Sequence, residues 1–232
     1  MALKRFLVTR SEAQGRDFAA ALRACGHEAV LVPLASVQFM DVTLTDVQRF
    51  DLILVTSANG VAALARLTQE RALPILAVGP QTATALVGAG FTDVSCADGD
   101  ATALAARVPT LVSAGGRLLH ITGKAGKSPA LPGYELTRVV GYDMVRVPVL
   151  PDALATVLQS GTLTGAFFFS PGSAAHFRDL ILEAGLAETC APLDAYCISQ
   201  GAANVLSPLV FAHFYISAQP DRAALIAKLP PC

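Results

Sequence analysis

Charge is scarce in this sequence. Asp, Glu, Lys and Arg supply 15% of the 232 residues and nearly cancel, leaving a net charge of −1. A protein that grips a nucleic-acid backbone needs a basic face, and no such excess is encoded, so no nucleic-acid partner is expected. Long apolar runs are missing too, although 53% of the residues are hydrophobic and the mean hydropathy is +0.52. No run of 18 uncharged apolar residues occurs, so no membrane span is expected. The opening MALKRFLVTR carries early basic residues, but Arg10 and Glu12 break the apolar stretch that a secretion signal requires. The five cysteines (Cys25, Cys96, Cys190, Cys197 and Cys232) are scattered, odd in number and without a CxxC pair, as expected of reduced cytoplasmic thiols packed as small hydrophobes. The four histidines (His27, His120, His176 and His213) show no metal-ligand spacing; His120 and His213 lie in apolar runs and read as core or edge residues.

Signatures of familiar catalysis are absent as well. There is no GxSxG, no GxGxxG, no Cys–His pair at a known spacing and no pair of carboxylates set among apolar residues. One stretch, RLLHITGKAGKSPALPG over 117–133, imitates a phosphate-binding loop with Gly126-Lys127-Ser128. The imitation fails on two counts: Ile121 stands where the first glycine belongs, and Pro129 and Pro132 oppose the helix that should start at the serine. A basic, glycine-rich loop after a strand still suits an anion of another kind.

Short Val/Ile/Leu/Phe runs alternate with Ala-rich amphipathic stretches along the chain. Strands are expected at 4–8, 28–32, 52–55, 75–78, 118–121, 166–169, 195–198 and 213–216, and helices at 12–25, 58–68, 81–89, 101–107, 153–159, 173–184 and 221–228. The strand runs are continuously apolar, as for parallel strands covered on both faces, and the rhythm implies an α/β architecture. The chain also repeats. FDLILVTSANGVAAL (50–64) aligns with TGAFFFSPGSAAHF (164–177), ILAVGPQTATAL (75–86) with AYCISQGAANVL (195–206), and RFLVTR (5–10) with RLLHIT (117–122). Two similar halves, 1–108 and 117–229, follow, with a cleft between them as the natural ligand seat.

Four strand-to-helix junctions gather small hydrogen-bonding residues: Thr56-Ser57-Ala58-Asn59-Gly60, Gly79-Pro80-Gln81-Thr82, Ser170-Pro171-Gly172-Ser173 and Ser199-Gln200-Gly201. Each suits an anion at a helix N-terminus, and each is equally what ordinary capping needs. Arg10, at the end of the first strand, suits a carboxylate; of the 17 basic residues 13 are arginine, the fork-shaped donor. Tyr142, in the β-rich VVGYDMVRVP, offers a phenol as proton or hydrogen-bond donor, and Lys124 and Lys127 offer charge at a strand end.

Taken in order, VTR at the start, TSANGV, AVGPQTATAL followed by a Gly-Phe, GDATAL, the Tyr142 stretch, FFSPGSAAHF and SAQPDRAAL resemble the uroporphyrinogen-III synthase family over essentially the whole chain. The resemblance implies two flavodoxin-like α/β domains with parallel sheets, joined by a two-stranded β-ladder, with the ligand cleft between them. It places residues 1–35 with 148–232 in a discontinuous domain, 41–140 in an inserted domain, and 34–42 and 140–149 in the linker strands. The implied activity is that of a lyase of porphyrin and heme biosynthesis. It cyclises the linear tetrapyrrole hydroxymethylbilane, inverts ring D and releases water, acting as a cytoplasmic monomer without metal or organic cofactor. Tyr142 and Thr82 would be catalytic; Arg10, Ser57, Asn59, Gly79, Thr122, Gly123, Lys124, Ser170, Ser173 and Gly201 would bind substrate. The sequence departs from the family at Ser199-Gln200-Gly201-Ala202, where a second threonine is expected at Ala202, and in KAGKSPALPG, which is too short and proline-rich for the usual helix. Those departures leave open a synthase-like protein that binds a tetrapyrrole or another polyanion without turnover.

Overall fold

A computed structural model describes residues 3–219 and 221–229, so Cys232 and Pro220 of SAQPDRAAL lie outside the described residues. In chain order the elements are β1 (Arg5–Val8), α1 (Glu12–Ala24), β2 (Glu28–Leu31), β3 (Ala35–Phe39), β4 (Leu52–Val55), α2 (Ala58–Leu67), β5 (Ile75–Ala77), α3 (Pro80–Gly88), β6 (Val94–Cys96) and α4 (Ala101–Arg107). There follow β7 (Arg117–Gly123), β8 (Glu135–Arg146), α5 (Asp152–Gln159), β9 (Gly165–Phe168), α6 (Pro171–Glu183), β10 (Asp194–Cys197), α7 (Gln200–Asn204), β11 (His213–Ile216) and α8 (Arg222–Ile226). Every strand and helix expected from the periodicity is present, with ends displaced by two residues at most. Four elements go beyond that list of strand and helix runs. β6 and α7 are only three and five residues long. β3 falls within the expected linker segment 34–42, while β8, expected at 140–149, begins at Glu135 because its first half pairs with β7.

The chain divides into two compact units, Met1–Ser36 with Val145–Cys232, and Val37–Met144. It leaves the first within β3 and returns within β8. The first unit holds a sheet in the order β11-β10-β9-β1-β2, all parallel. This is the flavodoxin-like order, with β1 at the centre of the reversal. The second holds β3-β8-β7-β4-β5-β6, in which β8, β7, β4, β5 and β6 are mutually parallel. Matching β7 to β1, β8 to β2, β4 to β9, β5 to β10 and β6 to β11 superposes the two orders. That is the pairing the internal repeat prescribes, with the last strands of one unit standing for the first of the other.

The continuous apolarity of the strands has its cause in two-sided burial. In the second unit Ile53, Val55, Ile75, Ala77, Leu119 and Ile121 face the side covered by Val61 and Leu64 of α2 and Leu86 of α3. The alternate residues Leu52, Leu54, Leu76 and Leu118 face Leu104 of α4 and Val108. In the first unit the same demand is met with rings: Phe6, Phe167 and Tyr196 lie in edge and stacked contacts with centroids 4.9–5.6 Å apart, and Phe18 closes on Phe167 at 4.8 Å.

The two units differ in how their central strand is joined to its neighbour. β1 reaches β2 through the 13-residue α1, whereas β7 reaches β8 through residues 124–134, which form no helix. That loop covers its part of the sheet with Leu131 and Tyr134. Among the hydrogen bonds that pin it are His120 Nδ1 with Ser128 Oγ at 3.0 Å, Tyr134 Oη to the Val112 carbonyl at 3.1 Å, and Gly115 N to the Gly133 carbonyl at 2.7 Å. Ser128, which completed the apparent phosphate motif, thus serves a fully buried histidine.

Burial, and then the charge of Arg138, lowers the His120 pKa from 6.5 to about 4. A histidine whose folded pKa lies below its unfolded value takes up a proton on unfolding. Its contribution to stability is therefore complete above about pH 6.5 and is lost as the pH falls toward 4. The wild type should lose melting temperature steeply across that window. His120→Asn, whose amide replaces the Nδ1 contact without a titrating ring, should show a shallower slope; parallel curves would contradict this account.

Candidate active site

A parallel sheet of this order reverses its winding at one place, where helices leave to opposite sides and the strand ends open a crevice. In the second unit that place lies between β4 and β7. β4 runs into Thr56 and Ser57. Ser57 is extended, caps the ten-residue α2, and accepts the Gly60 N–H on Oγ at 3.1 Å. β7 runs into Thr122 and Gly123, and there its pairing with β8 slips: Thr122 faces Val140, but Gly123 faces Tyr142. Gly141 is the extra residue of a β-bulge.

The bulge decides which way Tyr142 points. Along β8, Leu136 packs on the α4 side and Val139 on the α2 side, and strict alternation from Val139 would return Tyr142 to the α4 side. Gly141 faces α2 as alternation requires, with a Cβ there lying 2.7 Å from Ala63 Cβ, but Tyr142 follows onto that same side. The phenol ring then lies on Gly123, whose absent Cβ would fall 2.8 Å from Cε2 and Cζ. The phenol oxygen ends 3.0 Å from Ser57 Oγ. Either hydroxyl can donate in this contact; with Ser57 Oγ as the donor, the phenolic proton is free for a third group. This chain of hydrogen bonds begins at the N-terminus of α2.

Other expected residues of the second unit gather around this pair. Lys124 N donates to the Tyr142 carbonyl at 2.9 Å, and Lys124 Nζ lies 3.4 Å from Asp143. Thr122 is buried in β7. Asn59, in the first turn of α2, contacts Met144 Sδ through Nδ2 at 3.5 Å. Gly79 and Thr82 stand one strand away, at the end of β5. Gly79 is the N-cap of α3, Thr82 N donates to its carbonyl at 3.1 Å, and the Thr82 side chain is buried. No hydrogen bond among the described residues joins Thr82 to Tyr142.

The corresponding reversal of the first unit lies between β1 and β9. Arg10 stacks its guanidinium 4.4 Å over Phe169 and donates to Gln14 Oε1 at 3.2 and 2.7 Å. Burial, and then the neighbouring charge of Arg222, lowers its pKa to about 10 against the opposing pull of Asp17, so it stays cationic at neutral pH. Ser170 caps α6 by accepting the Ser173 N–H at 3.1 Å, and Ser173 Oγ donates back to the Ser170 carbonyl at 3.0 Å. Here the hydroxyls are engaged in capping itself. Gly201 lies in the first turn of α7 beside Pro171, and the buried Ala202 gives its N–H to Ser199 Oγ at 3.3 Å. Among the described residues no three His, Cys, Asp or Glu side chains cluster as a metal site, and no helix is long and apolar enough to cross a membrane.

Two residues of this site carried no signal in the sequence reading: Gly141, whose role depends on strand register, and Arg138, whose Nη2 lies within 3.2 Å of three carbonyl oxygens of the turn after Gly123. Gly141→Ala should destabilise the protein by about 1–3 kcal/mol through overpacking against Ala63. Ala63→Gly in the same chain should recover part of that loss, so that a urea-unfolding cycle of the two substitutions gives a coupling of about 1 kcal/mol. Strict additivity would show that the contact is not the constraint.

The protein-family model described as HEM4, uroporphyrinogen-III synthase HemD, matches residues 16–227. A search of curated proteins gives no match. Among solved structures, a mutant uroporphyrinogen III synthase from the extremely thermophilic bacterium Thermus thermophilus is similar at 20% identity over 97% of this chain and 96% of that one, with a TM-score of 0.49. The wild-type protein of that organism in a second crystal form gives 19% identity over 91% of each chain with a TM-score of 0.39. Another Thermus thermophilus uroporphyrinogen III synthase structure gives 20% over 97% of each with a TM-score of 0.41.

Proposed function

The chain belongs to the uroporphyrinogen-III synthase family, enzymes of the cyclising lyase type that act in tetrapyrrole biosynthesis, and we propose that Tyr142 is the acid that starts its reaction. The substrate in this reading is hydroxymethylbilane, handled by a cytoplasmic monomer. Its terminal C–O bond breaks as the adjacent pyrrole nitrogen supplies the electron pair. The Tyr142 proton passes to the departing oxygen, which leaves as water. The resulting azafulvene is attacked within the same molecule by the bridge-bearing α-carbon of ring D, giving a spiro intermediate. That carbon's bond to its old bridging methylene then breaks, and the methylene is recaptured by the free α-carbon of ring D, which inverts the ring. The proton released as the last ring regains aromaticity returns to the phenolate.

The observation that carries this reading is the 3.0 Å contact between Tyr142 Oη and Ser57 Oγ, itself held by the Gly60 N–H. It gives a proton-donating phenol a fixed place: a hydrogen-bond partner for its oxygen, anchored at the first turn of α2. The substrate's carboxylates call for cations and N–H groups. Lys124, Asn59, Thr122, Gly123 and Gly79 in one unit, and Arg10, Ser170, Ser173 and Gly201 in the other, are assigned to them. Thr82, buried in the first turn of α3, is assigned with Tyr142 to the catalytic group.

Purified protein given hydroxymethylbilane should yield isomer III. A product consisting only of isomer I, which forms spontaneously without inversion, would defeat the assignment. Tyr142→Phe should lower turnover by about 10²–10⁴-fold, the usual worth of a positioned acid, with an unchanged melting temperature. Wild-type turnover in that variant would remove Tyr142 from the chemistry.

A further inference from the structure

The phenol of Tyr142 lies on Gly123, so its position is set by whatever fixes the turn that Gly123 begins. That turn, residues 123–126, lacks the support its counterpart in the other unit has. Where Arg10 leads directly into α1, Gly123 leads into a loop with no helix whose N-terminal turn would hold it in place. Its internal bond, Gly126 N to the Gly123 carbonyl at 2.9 Å, closes a single turn. Gly126 itself packs so tightly that a Cβ would fall 2.1 Å from Thr122 Oγ1.

Three carbonyl oxygens of this turn converge on one nitrogen. Arg138 Nη2 lies 3.2 Å from the Gly123 oxygen, 3.0 Å from that of Lys124 and 3.1 Å from that of Gly126. A permanently charged guanidinium suits such a convergence, since each oxygen gains from the full positive charge as well as from a shared N–H. Arg138 stands opposite His120 in the β7–β8 pairing, four residues ahead of Tyr142 on the same strand. The turn is therefore gripped twice by β8: at one end by Arg138, and at the other by Tyr142, whose carbonyl accepts the Lys124 N–H at 2.9 Å and whose ring covers Gly123.

We infer that Arg138 is a positioning residue for Tyr142: by clamping the carbonyls of Gly123, Lys124 and Gly126 it fixes the seat on which the phenol lies, and so the approach of the phenolic proton to the substrate. This rests on the catalytic reading of Tyr142 above. Displacing an acid by about 1 Å costs on the order of 10²-fold in rate, so a loosened seat acts on turnover more than on affinity.

The test is a four-member kinetic cycle on the full chain: wild type, R138M, Y142F and the double variant, with R138K alongside. R138M should lower kcat tenfold or more with KM within about twofold, and should raise the share of isomer I in the product. R138K, which keeps the charge but not the fork, should regain part of that loss. In the Y142F background R138M should cost nothing further, because its effect passes through the phenol. Circular dichroism and melting temperature establish that each variant is folded; if R138M is not, R138K against wild type in both backgrounds carries the same comparison. Unchanged kcat in R138M, or equal losses in the presence and absence of the phenol, overturns the inference, as does a raised KM at constant kcat, which would make Arg138 a direct substrate contact. Wild-type protein that makes no isomer III overturns the family reading of the activity, and this inference with it. Wild-type isomer III with an indifferent Arg138 overturns the positioning role alone.

Discussion

A parallel strand covered on both faces has little room for polar side chains along its length, and takes one such as His120 only where a partner like Ser128 meets it. That constraint governs both units. Leu52, Ile53, Leu54 and Val55 are all buried, as are Phe6, Leu7 and Val8, so the chemistry of the chain is pushed to where the strands stop. What stops them is a helix start, and a helix start consumes hydroxyls. Ser57, Ser170 and Ser199 each commit one acceptor site to an N–H three residues ahead. Ser170 is also engaged by Ser173, so its hydroxyl is fully employed within its own turn. Ser57 alone of the three meets an aromatic hydroxyl from another strand among the described residues. That contact is one chemical difference between the two corresponding sheets, and it follows from the inserted Gly141 in β8.

Much of the fold was legible because two-sided burial writes itself into sequence as unbroken apolar runs, and because the repeat gave the correspondence of strands that the two sheet orders share. β6 was not, since VSC is only half-buried and forms no apolar run, and α7 was not, since QGAAN carries no large apolar residue. The start of β8 at Glu135 was missed for a different reason. Its first residues are exposed or half-buried with no regular period, so nothing in ELTRVV announces the partner that recruits it into the sheet.

The candidate site was legible in part. Ser57, Gly123, Lys124 and Tyr142 were each readable as polar groups at strand ends, and they lie together. The geometry that joins them was not, because a bulge is a mismatch between two strands and belongs to neither sequence alone. Arg138 was hidden for the same reason: its partners are main-chain carbonyls, which every residue has. The most conspicuous motif, Gly126-Lys127-Ser128, is put to structural use, its serine bound to a buried histidine and its glycine wedged against Thr122.

The double crossing of the chain carries a consequence for the order in which the protein takes shape. The unit Val37–Met144 is contiguous and contains every strand of its parallel core. The other unit is not: β1 lies between β2, which follows it closely, and β9, which follows only after the whole second unit has been made. Two strands and one helix are too little to bury Phe6 and Phe18 on their own. β1 is therefore paired on both sides only once β9 has been made. The completed inner unit shortens the effective loop it must close, bringing Leu7 to Ala166 without threading a disordered chain. The insertion that looks like an interruption of one sheet is, in kinetic terms, its splint.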